Sequence, residues 1–519
     1  MNELQRIRAL RKLEQGTLGI GQAAPVVMCY PSPYRVGMSS LGFQTLYRQL
    51  NEDGPGAHRA FLPDEWEKQS LAWPQPRRKI LSIEGERPVS DYPILAFSVA
   101  YELEITGLIR FLEGTGIPLL AAHRGPRDPI IIAGGPLTNS NGSVLLPFVD
   151  LLIAGEAEQV FPEVVEILLG SGSRESRILS AGAGIHVAVG ELESGIYASL
   201  PKCAVAPRHL IPAHSAITTP NTELSNMFLV EPERGCSRDC TFCVMRGPTT
   251  GGMRLVDADH ALALVPEHAR KVGLVGAAVT DHPRLEEIVA SIVDSGRGIG
   301  ISSLRADRLT PTFLRNLDRA GYRTITVASD GISQRIRDHL SRRIKEEDLL
   351  RAAKLIRTAG FHRMKLYQMI GVPGEDESDV DELIRFVREL AGIMRITMTI
   401  STFVAKRNTP LDGTDFIGVK QASGRLARIR AGLKGKADMR PQPPKWAHIE
   451  YLLARSGPEA GHASIEAVHA GASYSDWTRA FRDVAITDRA LVFGDEERRA
   501  KRSGHAARRS HLPVLRTRS

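Results

Sequence analysis

Short apolar runs alternate with amphipathic helix patterns along most of this 519-residue chain, and this alternation constrains the fold more than any other feature. The runs at 24–33, 92–100 and 128–136 predict buried strands, because they are rich in apolar residues and contain or end in proline or glycine. A helix pattern follows each of the first two, and a strand-then-helix stretch follows the third. Strands that alternate with helices at this spacing predict a parallel sheet with helices on both faces. We therefore predict a doubly wound α/β domain over residues 21–170.

The alternation resumes at residue 226 and continues for about 200 residues, with six strand-like runs that are each followed by a loop and a helical segment. A chain of this length is too long for a single core, and it predicts about three domains. The predicted segments are an N-terminal helix at 1–20, the α/β domain at 21–170, a linker at 171–225, a second α/β core at 226–425, a helical C-terminal region at 426–493 and a tail at 494–519.

Composition indicates an ordinary globular protein, with 42% hydrophobic and 24% charged residues. The charged start of the chain and the lack of any run of ~20 apolar residues predict a cytoplasmic protein that does not enter a membrane. Part of the net charge of +8 comes from residues 494–519, where eight Lys or Arg stand against three acids. This segment predicts a disordered basic tail that is solvated or, alternatively, makes weak contact with a polyanion such as RNA.

Three cysteines lie within eight residues, at Cys236, Cys240 and Cys243. The chain contains two more, Cys29 and Cys203, both distant in sequence. Structural zinc sites need four ligands and usually present them as two pairs, so zinc is the weaker interpretation. Disulfides are disfavoured because the cysteines are few and odd in number. Three thiolates without a fourth favour an iron–sulfur cluster in which one iron is left open.

The spacing CxxxCxxC, with the aromatic Phe242 just before the last cysteine, resembles the signature of radical S-adenosylmethionine (SAM) enzymes at every defining position. The resemblance implies a 4Fe-4S cluster on Cys236, Cys240 and Cys243. It also implies that the open iron chelates SAM, and that reduction cleaves SAM to a 5′-deoxyadenosyl radical. An electron donor such as flavodoxin or ferredoxin is then expected.

The second α/β core resembles the partial (β/α)6 TIM-type barrel of this superfamily, with its chemistry at the carboxyl ends of the strands. Residues 276–278, Gly-Ala-Ala, occupy the place of a Gly-Gly-Glu stretch that binds the SAM amino group in relatives. This departure leaves the amino group to backbone carbonyls near Gly276. Ser302, Ser303 and Arg305 end the next strand, where the buried guanidinium predicts a contact with the SAM carboxylate. A pair with Asp307 at the barrel rim is the alternative.

Two later strand ends complete the SAM residues that the resemblance implies. Ser329 and Asp330 occupy the position at which relatives carry a carboxylate that faces the ribose hydroxyls. Gly371 begins a Gly-Val-Pro-Gly turn that resembles the turn beside adenine, where a glycine lets the backbone approach the base.

The N-terminal half resembles the cobalamin-binding domain that precedes many radical SAM cores, through its first loop, IIAGGP and LIAGEAEQVFPEVV. Relatives that ligate cobalt from below carry Asp-x-His-x-x-Gly in the first loop. Here the frame 32–37 places Tyr34 at the histidine position, and a neutral phenol is a poor cobalt ligand. Cobalamin therefore binds with its lower face unligated, or the fold persists without the cofactor. The cobalamin-binding candidates are Tyr34, Gly37, Ser39, Gly134, Gly135, Gly155 and Glu156.

The sequence thus predicts a radical SAM enzyme of the cobalamin-domain subclass, close to an uncharacterised group of fused radical SAM proteins. With cobalamin it would methylate or rearrange an unactivated carbon of a substrate that the sequence does not identify. One alternative is a cobalamin-free enzyme, methylthiotransferase-like or cyclase-like. Another is an iron–sulfur sensor or scaffold whose basic tail binds nucleic acid. SAM cleavage under a strong reductant separates enzyme from sensor, and corrinoid absorbance separates the two enzymes.

Overall fold

Parallel β-sheets with helices between their strands make up most of the chain, as the sequence predicts. The structure is a computed structural model that describes residues 2–16, 18, 23–68, 73–75, 79–190 and 201–484. Within these ranges, no helix has the length and apolar character needed to cross a membrane. The predicted basic tail at 494–519 lies outside the described residues.

The N-terminal half contains a six-stranded sheet among the described residues, in the order β2-β1-β3-β4-β5-β6. The first five strands in chain order are parallel, and β6 pairs antiparallel with β5. Every residue of β1 is buried, which is why this strand reads as a continuous apolar run in the sequence. The strands are β1 (Val26–Tyr30), β2 (Ala57–Phe61), β3 (Ile94–Ser98), β4 (Ile130–Gly134), β5 (Leu151–Ile153) and β6 (Val187–Val189).

Helices cover both faces of this sheet. Ser40 begins α3 by accepting a hydrogen bond from the backbone N–H of Phe43, which satisfies one of the free donors of the first turn. Helix α4 packs so closely on the end of β1 that a Cβ atom at Gly107 would lie 1.8 Å from the carbonyl oxygen of Pro31. The helices are α1 (Glu3–Lys12), α2 (Tyr34–Gly37), α3 (Leu41–Glu52), α4 (Ile105–Thr115), α5 (Val160–Leu169) and α6 (Arg174–Gly182). Both α6 and β6 lie in the predicted linker, so part of that segment extends the sheet.

The second half contains two further parallel sheets, of three strands in the order β11-β10-β7 and of four in the order β12-β13-β14-β15. A parallel bridge between Leu304 and Val327 connects them. The strands are β7 (Met227–Val230), β10 (Lys271–Leu274), β11 (Gly298–Ile301), β12 (Thr324–Gly331), β13 (Arg363–Ile370), β14 (Arg395–Thr402) and β15 (Ala437–Pro441). A short antiparallel pair, β8 (Glu233–Arg234) and β9 (Arg254–Leu255), encloses the segment with the three cysteines.

Helices follow these strands and bury one large apolar cluster against them. They are α7 (Gly247–Thr250), α8 (Ala258–Ala263), α9 (Leu285–Asp294), α10 (Pro311–Arg319), α11 (Gln334–His339), α12 (Glu346–Thr358), α13 (Glu377–Ile393) and α14 (Val419–Gly432).

Three C-terminal helices join the two halves, namely α15 (Pro444–Arg455), α16 (Glu459–His469) and α17 (Tyr474–Ala480). Their apolar residues belong to the same buried cluster as those of α4, including Leu453, Trp477 and Phe111. Helix α15 also contacts β14. The region therefore packs on the N-terminal half as well as on the second.

Candidate active site

The cysteine loop, residues 235–253, begins at the end of β8 and returns at β9. Cys236 and Cys240 are buried, Cys243 is partly exposed, and all three are free thiols. Gly235 starts the loop with a φ of +79°, a conformation that glycine adopts without steric cost. The loop therefore lies close to the carboxyl end of β7, where the sequence predicts it.

Contacts from neighbouring strand ends hold the cysteine loop. The guanidinium of Arg238 donates to both carboxylate oxygens of Asp281, at 2.9 and 2.7 Å, and Asp281 follows β10. The backbone N–H of Thr241 donates to the carbonyl of Leu340 at 3.1 Å, in the segment after β12. Contacts from the segments that follow β10 and β12 thus fix the path of the loop.

The three thiols lie close enough to influence one another. Burial, with smaller contributions from Cys240 and Cys236, raises the pKa of the Cys243 thiol to about 11. Burial is also the main reason that the pKa of Cys236 is raised. Among the described residues, no three His, Cys, Asp or Glu side chains converge on a position that could hold a single metal ion. The donor set of three thiols fits an iron–sulfur cluster with one open iron, whose charge would offset the cost of forming the thiolates.

Phe242 packs into an apolar cluster formed where several strands end. The buried members of this cluster include Ile336, Val372 and Phe403, and the side chain of Met369 also packs against it. These residues come from the segments around the ends of β12, β13 and β14. Phe242, the aromatic residue of the cysteine motif, therefore anchors the cysteine loop to the four-stranded sheet that contains β12, β13 and β14.

Arg305 adopts the pairing that was considered as the alternative. Its Nε and Nη2 atoms donate to the carboxylate of Asp307 at 3.0 and 2.8 Å, and Asp281 lies 3.7 Å from Nε. Its Nη1 atom is buried and has no hydrogen-bond partner among the described residues. The guanidinium thus keeps one free donor for an anion. Ser302 and Ser303, just before it, are exposed.

Asp330 lies at a bulge in β12 and has a φ of +65°, a strained conformation for a residue with a side chain. Its carboxylate pairs with Arg342 at 2.5 Å. Burial raises the pKa of Asp330, and Asp330 in turn contributes to raising the pKa of Cys243. Ser329 is buried and donates to the carbonyl of Gly331 at 3.2 Å. Asp330, rather than Ser329, is therefore the residue whose charge affects the cysteine loop.

Gly371 follows β13 with a φ of +79°, and a Cβ atom there would lie 2.8 Å from the side chain of Ile417. The buried carboxylate of Glu375 accepts hydrogen bonds from the backbone N–H groups of Gly371 and Val372, at 2.8 and 3.3 Å. The turn is thereby held in one conformation. The turn itself requires a glycine at position 371, whether or not a ligand lies beside it.

A cleft of about 390 Å³ lies between the carboxyl edge of the N-terminal sheet and the start of the cysteine loop. Four of the seven cobalamin candidates, Gly134, Gly135, Gly155 and Glu156, line it on the side of the N-terminal sheet. Most of its lining is apolar. The residues that line it on the side of the second half include Glu231, Arg234, Gly235, Met245, Val275, Gly276 and Ala277.

The other three cobalamin candidates, in the first loop, lie away from the cleft, which differs from the prediction. The buried Tyr34 donates its hydroxyl to Glu14 at 2.5 Å, Gly37 lies against Phe61, and the hydroxyl of Ser39 donates to the carbonyl of Arg35. The physical reason is the short helix α2, which turns residues 34–37 toward the core. The cleft is instead lined by Ser40, Leu41 and Gly42 at the start of α3.

A buried ionic network joins the two halves at the edge of this cleft. Arg234 donates to Glu231 at 2.8 Å and to Glu158 at 2.5 Å, and it lies 3.6 Å from Glu156. Arg254, beside it in the β8–β9 pair, donates to Glu156 at 2.5 Å. The candidate Glu156 therefore already has two cationic neighbours, and its role in the structure is to hold the cysteine loop against the N-terminal sheet.

Two sequence profiles match the chain. Residues 42–186 match the profile of radical SAM proteins, N-terminal, and residues 230–387 match the profile of the radical SAM superfamily. The chain belongs to the radical SAM superfamily. The recognition made from the cysteine spacing is confirmed, and membership implies a 4Fe-4S cluster and SAM as cofactors of this radical SAM enzyme.

Several known proteins are similar to this radical SAM enzyme. The uncharacterized protein MJ0966 of Methanocaldococcus jannaschii is 24% identical over 410 residues, which are 75% of this chain and 80% of that protein. The ribosomal protein uS12 methylthiotransferase RimO of Desulfosudis oleivorans is 24% identical over 227 residues, 40% of this chain and 51% of that protein. The solved structure of the cobalamin-dependent SAM radical enzyme OxsB, with aqua-cobalamin and SAM bound, is 13% identical with a TM-score of 0.48. The match covers 80% of this chain and 57% of the OxsB chain.

Glu233, three residues before Cys236, is a buried carboxylate of this radical SAM enzyme that the sequence analysis did not single out. Its side chain is fully buried, and its Oε1 atom accepts a hydrogen bond from the backbone N–H of Ala278 at 2.7 Å. Burial raises its pKa to about 7. The sequence carried one signal that could have found it, because this glutamate lies three residues before the first cysteine, in the segment that leads from β7 into the loop.

Proposed function

We propose that this radical SAM enzyme uses its cluster together with a corrinoid to methylate or rearrange an unactivated carbon. The observation that carries the proposal is the shared cleft. One apolar cavity is lined both by the glycines at the strand ends of the N-terminal sheet and by residues at the start of the cysteine loop. A ligand in this cleft would contact both halves of the chain.

The topology supports the same proposal. The N-terminal strand order β2-β1-β3-β4-β5 is that of doubly wound domains, whose ligands bind beyond the carboxyl ends of the strands. We propose that the two sheets of the second half form one incomplete barrel, because the Leu304–Val327 bridge connects them. The three cysteines and the cleft would then lie at the same end of that barrel.

The residues have separate roles in this proposal. Cys236, Cys240 and Cys243 would hold the cluster, and the free Nη1 donor of Arg305 would bind the carboxylate of SAM. When bound and reduced, the cluster supplies one electron that breaks the C5′–S bond of SAM, giving methionine and a radical that removes a hydrogen atom from the substrate. Asp330 would accept hydrogen bonds from the ribose hydroxyls.

A one-electron donor of the flavodoxin or ferredoxin class would reduce the cluster. The tail at 494–519, outside the described residues, would make only weak, salt-sensitive contact with polyanions. Its deletion should leave cluster content and SAM cleavage unchanged.

The corrinoid is expected to bind with no imidazole from the first loop below cobalt, because Tyr34 occupies the histidine position and hydrogen-bonds Glu14. No histidine lines the described part of the cleft. The test is electron paramagnetic resonance of the Co(II) form of protein purified without oxygen after growth with cobalamin. The spectrum should lack splitting from an axial nitrogen. Such splitting would contradict this binding mode, and the absence of any corrinoid would contradict the proposed use of cobalamin and favour the cobalamin-free alternative.

Filling the cleft should block the corrinoid without unfolding the protein. Gly42 lines the cleft in α3, and a Cβ atom at this position would meet no other atom within 4 Å. We expect Gly42→Leu to lower corrinoid affinity at least tenfold, since the new side chain projects into the space the ligand needs. Cluster iron content should be unchanged. Binding is measured by titration of the anaerobic protein with hydroxocobalamin.

Gly392→Leu provides the matched control. Gly392 lies in α13, has equally open surroundings and does not line the cleft. Equal corrinoid binding by the two variants would show that the cleft is not the corrinoid site.

A further inference from the structure

One oxygen of the Glu233 carboxylate is buried without a donor. Oε1 is bonded to the backbone N–H of Ala278, whereas Oε2 has no hydrogen-bond partner among the described residues. Within the described part of the chain, it is the one carboxylate oxygen in this condition. A buried carboxylate oxygen without a donor costs free energy, so a ligand that supplies one is expected.

Glu233 lies beside the cysteine loop and against the end of β10. A Cβ atom at Gly276 would lie only 2.2 Å from its Oε1 atom, so the glycine at this position leaves room for the carboxylate. Gly276 lines the cleft together with Gly235, the residue just before Cys236. The carboxylate is therefore held at the start of the cysteine loop.

The guanidinium of Arg305, whose charge is opposite to that of the Glu233 carboxylate, lies near Asp281. Asp281 donates its backbone N–H to the carbonyl oxygen of Ala278, the residue whose own N–H is bonded to Glu233, and its carboxylate lies 3.7 Å from Nε of Arg305. Arg305 has its own buried, unpaired donor, Nη1. A free acceptor and a free cationic donor thus flank the cysteine loop. A ligand that complements both carries a hydrogen-bond donor and an anionic group, as the amino and carboxylate groups of the methionyl end of SAM do.

We propose that Glu233 accepts a hydrogen bond from the α-amino group of SAM. This assignment rests on the proposed function of the cysteine loop and Arg305. It replaces the expectation that backbone carbonyls alone bind this group because residues 276–278 lack a glutamate. The Glu233 carboxylate reaches residues 276–278 from β8 and lies against Gly276. Its hydrogen bond from the backbone N–H of Ala278 orients it.

The test compares two ligands on the cluster-loaded full-length protein. Binding is measured by equilibrium dialysis with SAM and with the SAM analogue in which hydrogen replaces the α-amino group. We expect Glu233→Gln to weaken SAM binding by about 10- to 100-fold, the range for loss of a hydrogen bond to a charged group. Binding of the analogue should be unchanged. Glu287→Gln makes the same chemical change at an exposed site in α9 and should affect neither ligand.

Gly276→Ala gives an independent variant that keeps the glutamate. The added methyl group would displace the Glu233 carboxylate. The affinity for SAM should therefore fall again, while the affinity for the analogue should stay unchanged. If Glu233→Gln does not load iron, the SAM and analogue affinities of Gly276→Ala decide whether the assignment of Glu233 holds. The electron paramagnetic resonance signal of the reduced cluster, which should shift when SAM binds, gives a readout that does not depend on turnover.

Two results would overturn the assignment alone. One is SAM binding that is unchanged in both variants, and the other is an equal loss of SAM and analogue, which would mean a structural role. A wild-type protein with a full cluster that binds no SAM would instead overturn the proposed function, and the assignment of Glu233 with it.

Discussion

Changing any one of Cys236, Cys240 or Cys243 to alanine is expected to abolish both the broad visible absorbance of the cluster and SAM cleavage. Two remaining thiolates do not hold a cluster for which three are the whole set of protein ligands. The effect should be nearly complete because the other two cysteines of the chain, Cys29 and Cys203, lie outside the cysteine loop. Iron content and absorbance are measured after anaerobic reconstitution with iron and sulfide.

Cys203→Ala is the matched control. Cys203 is a partly buried thiol whose Sγ lies 3.6 Å from the carbonyl oxygen of Thr138, outside the cysteine loop. Its removal should leave cluster and cleavage nearly intact. Full iron content in the Cys240→Ala variant would show that the loop does not hold the cluster.

Arg234→Met is expected to destabilise the protein by about 3–5 kcal/mol, the cost of removing one partner from a buried ionic network. Glu231 and Glu158 would remain buried, each without its guanidinium partner. Because this network joins the cysteine loop to the N-terminal sheet, the variant should also lose the cleft between them. The measurement is the midpoint of chemical unfolding, with susceptibility to proteolysis as a second reading.

Arg284→Met is the control for this experiment. Arg284 also faces three carboxylates, Asp257, Asp259 and Glu287, but at an exposed site where ion pairs contribute little. Adding Glu158→Gln to Arg234→Met should recover part of the lost stability, because the unpaired charge is removed. Equal midpoints for Arg234→Met and Arg284→Met would contradict the role of the network.

The strands that the sequence predicted best are those buried on both faces. β1, β3 and β4 are almost wholly apolar because helices cover both sides of the sheet, so their pattern depends on no distant partner. The superfamily was recognisable for a related reason. The cysteine spacing is local, and it carries its chemistry without reference to the rest of the fold.

The strands β2 and β15 escaped prediction. β2 contains Arg59, which is buried only because Glu14 and Glu84 pair with it from distant segments. β15 alternates between partly buried and exposed residues at the edge of its sheet and ends in proline, so it lacks the apolar run of a central strand. In both cases the signal lies in tertiary partners that the local sequence does not contain.

The candidate site was predictable at its cysteines and at the glycines of the strand ends, and less so elsewhere. The frame of the first loop made Tyr34 a cobalamin candidate, but one turn of α2 separates it from the cleft, which is lined by the residues that begin α3. The carboxylate of Glu233 has room beside the cysteine loop only because Gly276 lies opposite it, and that pairing brings together positions 43 residues apart. Such juxtapositions depend on the sheet register, which the sequence alone does not specify.

Anaerobic incubation of the reconstituted protein with SAM and dithionite tests the central claim most directly, with 5′-deoxyadenosine and methionine measured by mass spectrometry. We predict that both accumulate in equal amounts, that they require the reductant, and that they are absent with the Cys240→Ala variant. A protein that holds its full complement of iron and binds SAM, yet forms no 5′-deoxyadenosine, would contradict reductive SAM cleavage at this cysteine loop.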